Sequence, residues 1–217
     1  QSFSEAGQPW REFLEGARFV IQNQLFRTLI ILTFSMHFFV TSYIQIMPIF
    51  ADLLGTGERG YGLLISITGV GSLIGTLSIA RFQQSQRLGR VIVISATLSP
   101  TVLLGLALLT SVPVTGEAGF IFASIFVLFS AAFGGAFLVG SMTVLQLIVP
   151  DALRGRVMGI HSITFSLIAL GGLMTGGLAS IFSAPIAITI GSSLALILVF
   201  WAMFRHREIW NLDGRRL

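Results

Sequence analysis

The sequence predicts an all-α, polytopic membrane protein with six transmembrane helices. Three observations carry that expectation. The first is composition: 54% of the residues are hydrophobic, 10% are charged, and mean hydropathy is +0.89. A soluble domain carries about 25% charged residues. A soluble fold of 217 residues has too much surface for its volume to hide so much apolar side chain, whereas lipid solvates apolar faces directly. The second is the presence of six apolar runs near the length of a bilayer span. A span takes about 20 residues, because the hydrocarbon core is about 30 Å thick and each helical residue rises 1.5 Å. The third is where the bases fall. All 13 are Arg, and they lie between the runs on alternate sides.

Residues 9–24 come before the first run. Trp10, Phe13, Leu14 and Ala17 recur at helical spacing, and Val20 and Ile21 continue the row. Arg11, Glu12, Glu15 and Arg18 take other faces. This pattern predicts an amphipathic helix at the membrane interface, so 1–27 reads as a cytoplasmic lead-in. The spans follow at about 28–50, 60–80, 91–111, 118–149, 156–182 and 185–205. Together they make a bundle over 28–205, with 206–217 as a cytoplasmic tail. No Asp, Glu, Lys or Arg interrupts a span. Membrane β-strands alternate over about 10 residues. These runs are longer and continuous, so helices are expected.

Six spans put both termini on one side. That side holds Arg11, Arg18, Arg27, Arg81, Arg87, Arg90, Arg154, Arg156, Arg205, Arg207, Arg215 and Arg216; the other holds Arg59, with Asp52, Glu58 and Glu117. By the positive-inside rule both termini are cytoplasmic. An extra or missing span would scramble this alternation.

Several function classes are excluded. The chain has no Cys, hence no disulfide framework, thiolate nucleophile or Cys-based metal site. No HExxH, GxSxG or P-loop occurs. The loops leave no room for a soluble catalytic domain. No enzyme, cofactor or metal is implied. The sequence pI of about 11.0 does not imply nucleic acid, because the arginines sit in short loops and not on a broad face. The sequence opens on Gln, not Met, which reads as a fragment or processed piece. Glu5 precedes any apolar stretch, so the opening is not a signal peptide.

Within the spans, Gly71 and Gly75 form one GxxxG pair and Gly172 and Gly176 another. Small residues at this spacing let helix backbones approach closely. Thr33, His37, Thr41 and Gln45 recur every four residues along one face of the first span. His37 is the ionisable group deepest in a span, and such a residue marks a functional site by default. A hydrogen bond from a neutral imidazole to a neighbouring helix is the equally good structural reading. A span hydroxyl such as Thr33 or Thr41 can instead bond its own helix carbonyl. The fourth span offers Ser130, Ser141, Thr143 and Gln146, and the fifth opens with His161 near the cytoplasmic edge, within reach of water.

Three segments together resemble a known family: LEGARFVIQNQLFR at 14–27, MPIFADLLGTGERGYGLLISITGVGSLIGTL at 47–77, and VPDALRGRVMGI at 149–160. The chain resembles the C-terminal half of a major facilitator superfamily transporter. More narrowly, it is similar to the bacterial exporter group that includes the enterobactin exporter and macrolide-efflux-like proteins. The resemblance implies helices seven to twelve of twelve, built as two inverted three-helix repeats, with substrate held between the halves near the midplane. It places the first and fourth spans on the cavity wall, so Thr33, His37, Thr41, Gln45, Ser130, Ser141 and Gln146 are the expected substrate-facing residues. It also implies that the loop carrying Asp151, Arg154 and Arg156 helps hold the cytoplasmic side closed, against the simpler reading that these charges only set topology. The loop after the second span keeps Gly75, Leu77, Arg81, Gly89 and Arg90 but lacks the motif's Asp, so no gate is expected there.

The expected activity is secondary active transport by alternating access, in the export direction, at a bacterial inner membrane. The expected partners are the lipid bilayer, a missing N-terminal six-helix half, and a small amphipathic organic substrate, because the walls carry Phe34, Met36, Phe38, hydroxyls and amides but no fixed charge. The competing expectation is a non-transporting membrane scaffold with the same helices and no cavity. An intramembrane enzyme would rest on His37 alone, and a complete six-helix carrier that dimerises is the remaining alternative.

Overall fold

Six helices are long and apolar enough to cross a membrane. They appear in a computed structural model that describes residues 8–82, 87–112, 116–205 and 210. A lead-in helix α1 (Gln8–Gln22) precedes them. The spans are α2 (Gln24–Leu53), α3 (Gly57–Ala80), α4 (Leu88–Ser111), α5 (Gly116–Ile148), α6 (Asp151–Ile181) and α7 (Ala184–Arg205). Arg207, Arg215 and Arg216, the tail they belong to, and the side chains of Trp10, Arg11 and Glu12 lie outside the described residues.

Two ends differ from expectation for local reasons. α2 begins before Arg27 because Asn23 caps it, its side-chain oxygen accepting from the Leu25 amide at 3.1 Å and the Phe26 amide at 3.5 Å. Arg27 stays exposed and its guanidinium donates to the Ile21 carbonyl at 3.4 Å. α6 begins at Asp151, directly after Pro150. Asp151, Arg154 and Arg156 therefore occupy the first turns of a helix and not a loop. An acidic side chain in a first turn complements the positive end of the helix dipole. Between α2 and α3 the chain turns through Gly55 and Gly57, at φ of 72° and 57°, a region that disfavours side chains with a Cβ.

α3 and α4 both pack along α5, α4 also packs on α7, and α6 lies against α2 and α7. Glycines set the closest approaches. A Cβ on Gly71 would collide with the Leu128 carbonyl and one on Gly75 with the Ala132 carbonyl, while Gly135 leaves only 2.6 Å to the Ser72 carbonyl. The first GxxxG pair thus sits at a backbone-to-backbone seam. The second behaves differently. A Cβ on Gly172 would meet the Gln45 side chain, and one on Gly176 would meet nothing within 4 Å. The tight contact in α6 falls instead on Gly171, against the Phe38 carbonyl.

α2 is not a uniform helix. It is α-helical over Gln24–Ser35, a π-helix over Met36–Val40, a 3-10 helix over Thr41–Ile46 and α-helical again over Met47–Leu53. α6 carries a shorter 3-10 turn at Thr164–Ser166. Glycines flank the π segment on two sides: a Cβ on Gly171 of α6 would collide with the Phe38 carbonyl, and one on Gly191 of α7 would lie 2.7 Å from the Phe39 carbonyl oxygen. α4 carries Pro100 in its interior, where the ring nitrogen cannot donate to the carbonyl four residues back.

The lead-in helix docks on the start of α6. Gly16 admits the Arg156 side chain, whose Cβ would lie 2.9 Å from a Cβ there, and Glu15 forms an ion pair with Arg156. Val20 is buried on the same side, and the opposite side leaves Leu14, Arg18 and Ile21 exposed. Along the spans, large apolar side chains such as Leu108, Leu173, Ile181 and Phe204 point outward, as expected where lipid replaces water.

Candidate functional site

The irregular turns of α2 and α6 face each other across a cavity of about 220 Å³. α2 contributes Met36, His37, Val40, Thr41, Tyr43 and Ile44. Thr68, Gly69 and Ser72 come from α3 and Ser99 from α4. α5 adds Ser130, Ala131, Gly134, Gly135, Phe137 and Leu138, and α6 adds Phe165 and Ile168. Among the described residues, none that lines it is Asp, Glu, Lys or Arg.

His37 bridges the two irregular turns. Its Nδ1 lies 3.0 Å from Thr164 Oγ1. The Thr164 hydroxyl donates to the His161 carbonyl at 2.6 Å, so its oxygen is the acceptor and Nδ1 carries the hydrogen. The Phe165 ring lies beside the imidazole, with centroids 4.6 Å apart. His161 packs edge-on to the other side of the same ring, at 6.2 Å. It is buried, and among the described residues its Nε2 has no partner. The sequence places His161 within reach of water. Packing within the bundle buries it instead.

Two further bonds tie α2 to its neighbours in the same way. The Ser42 hydroxyl lies 3.2 Å from Thr175 Oγ1, and Thr175 itself donates to the Gly171 carbonyl at 2.7 Å. The Tyr43 hydroxyl lies 3.5 Å from Thr68 Oγ1, and Thr68 donates to the Leu64 carbonyl at 2.9 Å. Beside Pro100, Ser99 and Ser130 bond each other reciprocally. Ser99 donates to the Ser130 carbonyl at 3.0 Å and Ser130 to the Ser99 carbonyl at 3.1 Å. Such pairing lets polar groups lie in an apolar bundle without the cost of an unmet hydrogen bond.

Residues 29–216 match the Major Facilitator Superfamily. The chain belongs to that superfamily. It is a multi-pass membrane transporter by family. No curated protein matches the chain, and no solved structure does.

For this facilitator chain, His37, Thr41 and Ser130 are the residues of the seven singled out in the sequence that line this cavity. Thr33 is buried outside the cavity, its hydroxyl donating to the Leu29 carbonyl at 2.9 Å. Gln45 lies against Gly172 at the exposed edge. Ser141 is buried and donates to the Leu138 carbonyl at 3.2 Å. Gln146 is exposed and remote from the cavity. The physical reason is angular drift. Four residues advance an α-helix about 40° beyond a full turn, and the π and 3-10 turns of α2 change that advance within the stripe, so residues four apart from Thr33 to Gln45 do not share one face. The wall follows alternating steps of four and three instead: Met36, Val40, Tyr43 in one row and His37, Thr41, Ile44 in the next. The signal for Thr68, Ser72 and Ser99 was weak, since each is one hydroxyl on an apolar span.

At the start of α6, Arg154 pairs with Asp151 at 2.6 Å, three residues apart and largely exposed. Arg156 reaches out of α6 to Glu15 of the lead-in helix. The sequence motif thus splits: one arginine stays within its own helix turn, and the other ties α6 to α1.

Proposed function

We propose that this chain is one six-helix half of a secondary active exporter that moves a small amphipathic organic compound by alternating access. The single observation that carries the reading is an uncharged, mostly apolar cavity at two helix interruptions, in a chain of this superfamily. Superfamily folds pair two six-helix halves about a midplane site, and six spans supply one half. The other half would close over the exposed faces of α2 and α5, bringing Gln45 and Gln146 toward the interface. Export follows from the similarity of the three sequence segments to the bacterial exporter group.

Both termini would face the cytoplasm of a bacterial inner membrane, with 1–27 as lead-in and 206–217 as tail. Breaks in α2 and α6 suit the rocking of one half against the other, because irregular turns bend more readily than an unbroken helix. Substrate would shift the equilibrium between inward and outward states by binding one of them better. An inorganic anion or sugar phosphate would want an Arg or Lys pair in the cavity, and the lining has none among the described residues.

The test is flux by the full-length protein in proteoliposomes. Lipophilic organic compounds should be carried and should compete with one another. His37→Ala should abolish flux in protein that still folds, as judged by gel filtration. Transport of inorganic anions, with lipophilic compounds neither binding nor competing, would overturn the reading. Unchanged flux in His37→Ala would favour the scaffold reading for this half.

A further inference from the structure

Building on that transport reading, we infer that the cavity selects its ligand by a hydrogen-bond donor: it takes an apolar body bearing an N–H or O–H and rejects compounds whose polar atoms are all acceptors. The inference comes from where each lining hydrogen points. Ser99 and Ser130 donate to each other's carbonyls, and Ser72 donates to the Gly69 carbonyl at 3.0 Å. Thr68 donates to the Leu64 carbonyl, which leaves its oxygen to accept from Tyr43. These five hydroxyls commit their hydrogens to protein acceptors, so toward a ligand they can act only as acceptors.

The imidazole completes the pattern. The Thr164 hydroxyl is committed to the His161 carbonyl, so Nδ1 of His37 must hold the hydrogen of their 3.0 Å bond. In a neutral imidazole the other nitrogen, Nε2, is then a bare acceptor. Among the described residues the imidazole's hydrogen bond runs through Nδ1 and not through Nε2. Thr41 alone among the described lining hydroxyls lacks a protein acceptor. The lining is therefore rich in acceptors and poor in donors, between the apolar side chains of Met36, Phe137 and Phe165.

The consequence for recognition is asymmetric. A ligand O–H or N–H finds Nε2 and several hydroxyl oxygens. A ligand ether or carboxylate meets lone pairs, and a buried acceptor without a donor loses the hydrogen bonds it had in water. Sites built around such a bond reject analogues that lack it far more strongly than sites built on shape.

The test uses 4-phenylphenol, its methyl ether 4-methoxybiphenyl, and biphenyl-4-carboxylate, with the full-length transporter in lipid nanodiscs. Binding is measured against the same compounds in protein-free nanodiscs, which removes differences in lipid partition. The phenol should bind about tenfold or more tighter than the ether, and the carboxylate weakest. His37→Leu should shrink the phenol–ether gap to about threefold or less, and Thr41→Val, which removes the one uncommitted donor among the described lining hydroxyls, should keep the gap or widen it. If His37→Leu does not fold, the comparison in the unaltered protein still decides. An ether or carboxylate that binds as tightly as the phenol overturns the inference. So does absence of all binding while lipophilic compounds are still transported, and in that case the transport reading stands. A phenol preference without any flux would leave the donor rule standing and remove the transport reading.

Discussion

Gly75→Ala should destabilise the bundle, although it adds one methyl group to a helix. The added Cβ would sit 2.7 Å from the Ala132 carbonyl carbon and 3.0 Å from its Cα. Carbon atoms rest at about 3.5–4.0 Å, and the Ala132 carbonyl oxygen lies nearer still, so α3 and α5 would have to part by at least about 1 Å at this level. Both sides of the contact are backbone, and no rotamer can relieve it. Overpacking of this kind costs about 1–3 kcal/mol. Ala recovers less than about 1 kcal/mol over Gly as a helix former, and a clash that is backbone on both sides falls in the upper part of the overpacking range, so the net loss is about 1–2 kcal/mol. For a chain of this size about 1 kcal/mol moves Tm by roughly 2–4 °C, and a fall of about 2–8 °C is expected in detergent-purified protein followed by tryptophan fluorescence. Gly176→Ala is the control. It has the same place in a GxxxG pair but nothing within 4 Å of the new Cβ, so its Tm should hold or rise slightly. Equal shifts for the two, or a rise for Gly75→Ala, would show that seam geometry is not what limits stability.

Three further outcomes follow from the bonds described above. Thr164→Val should lower stability by about 1–3 kcal/mol, because it leaves the buried Nδ1–H of His37 without its acceptor; Thr164→Ser should restore most of the loss in a thermal melt. Thr33→Val should leave flux unchanged, since that hydroxyl bonds its own helix away from the cavity; a transport defect in a normally folded variant would place Thr33 on the substrate path. Glu15→Gln should cost under about 1 kcal/mol, because the Glu15–Arg156 pair is exposed, with side chains 56% and 29% accessible. Its melting temperature should also lose whatever salt dependence the unaltered protein shows at the α1–α6 contact.

Much of this architecture is legible in the sequence because lipid imposes a simple length rule. Six uninterrupted apolar runs and an alternating arginine pattern leave little freedom in the number of helices. The ends of the helices are less legible. Asn23 and Pro150 set them through caps, a matter of one or two backbone bonds that hydropathy does not register. His37 stood out because an imidazole is rare at membrane depth, and it does line the cavity. Its partner Thr164 did not stand out, because a lone threonine most often satisfies itself on its own helix. The break in α2 leaves no composition signal: MHFFV and TSYIQI at 36–46 read as ordinary span. It takes the carbonyls of Phe38 and Phe39, meeting Gly171 and Gly191 from other helices, to favour a wider turn there.

That break has an unusual arithmetic. A π turn holds about 4.4 residues and a 3-10 turn about 3.0. Five residues of the first fall behind an α-helix by about 90°, and six of the second gain about 120°. Opposite errors laid end to end nearly cancel, as paired dislocations do in a crystal. The stretches on either side keep a common phase to within about 30°.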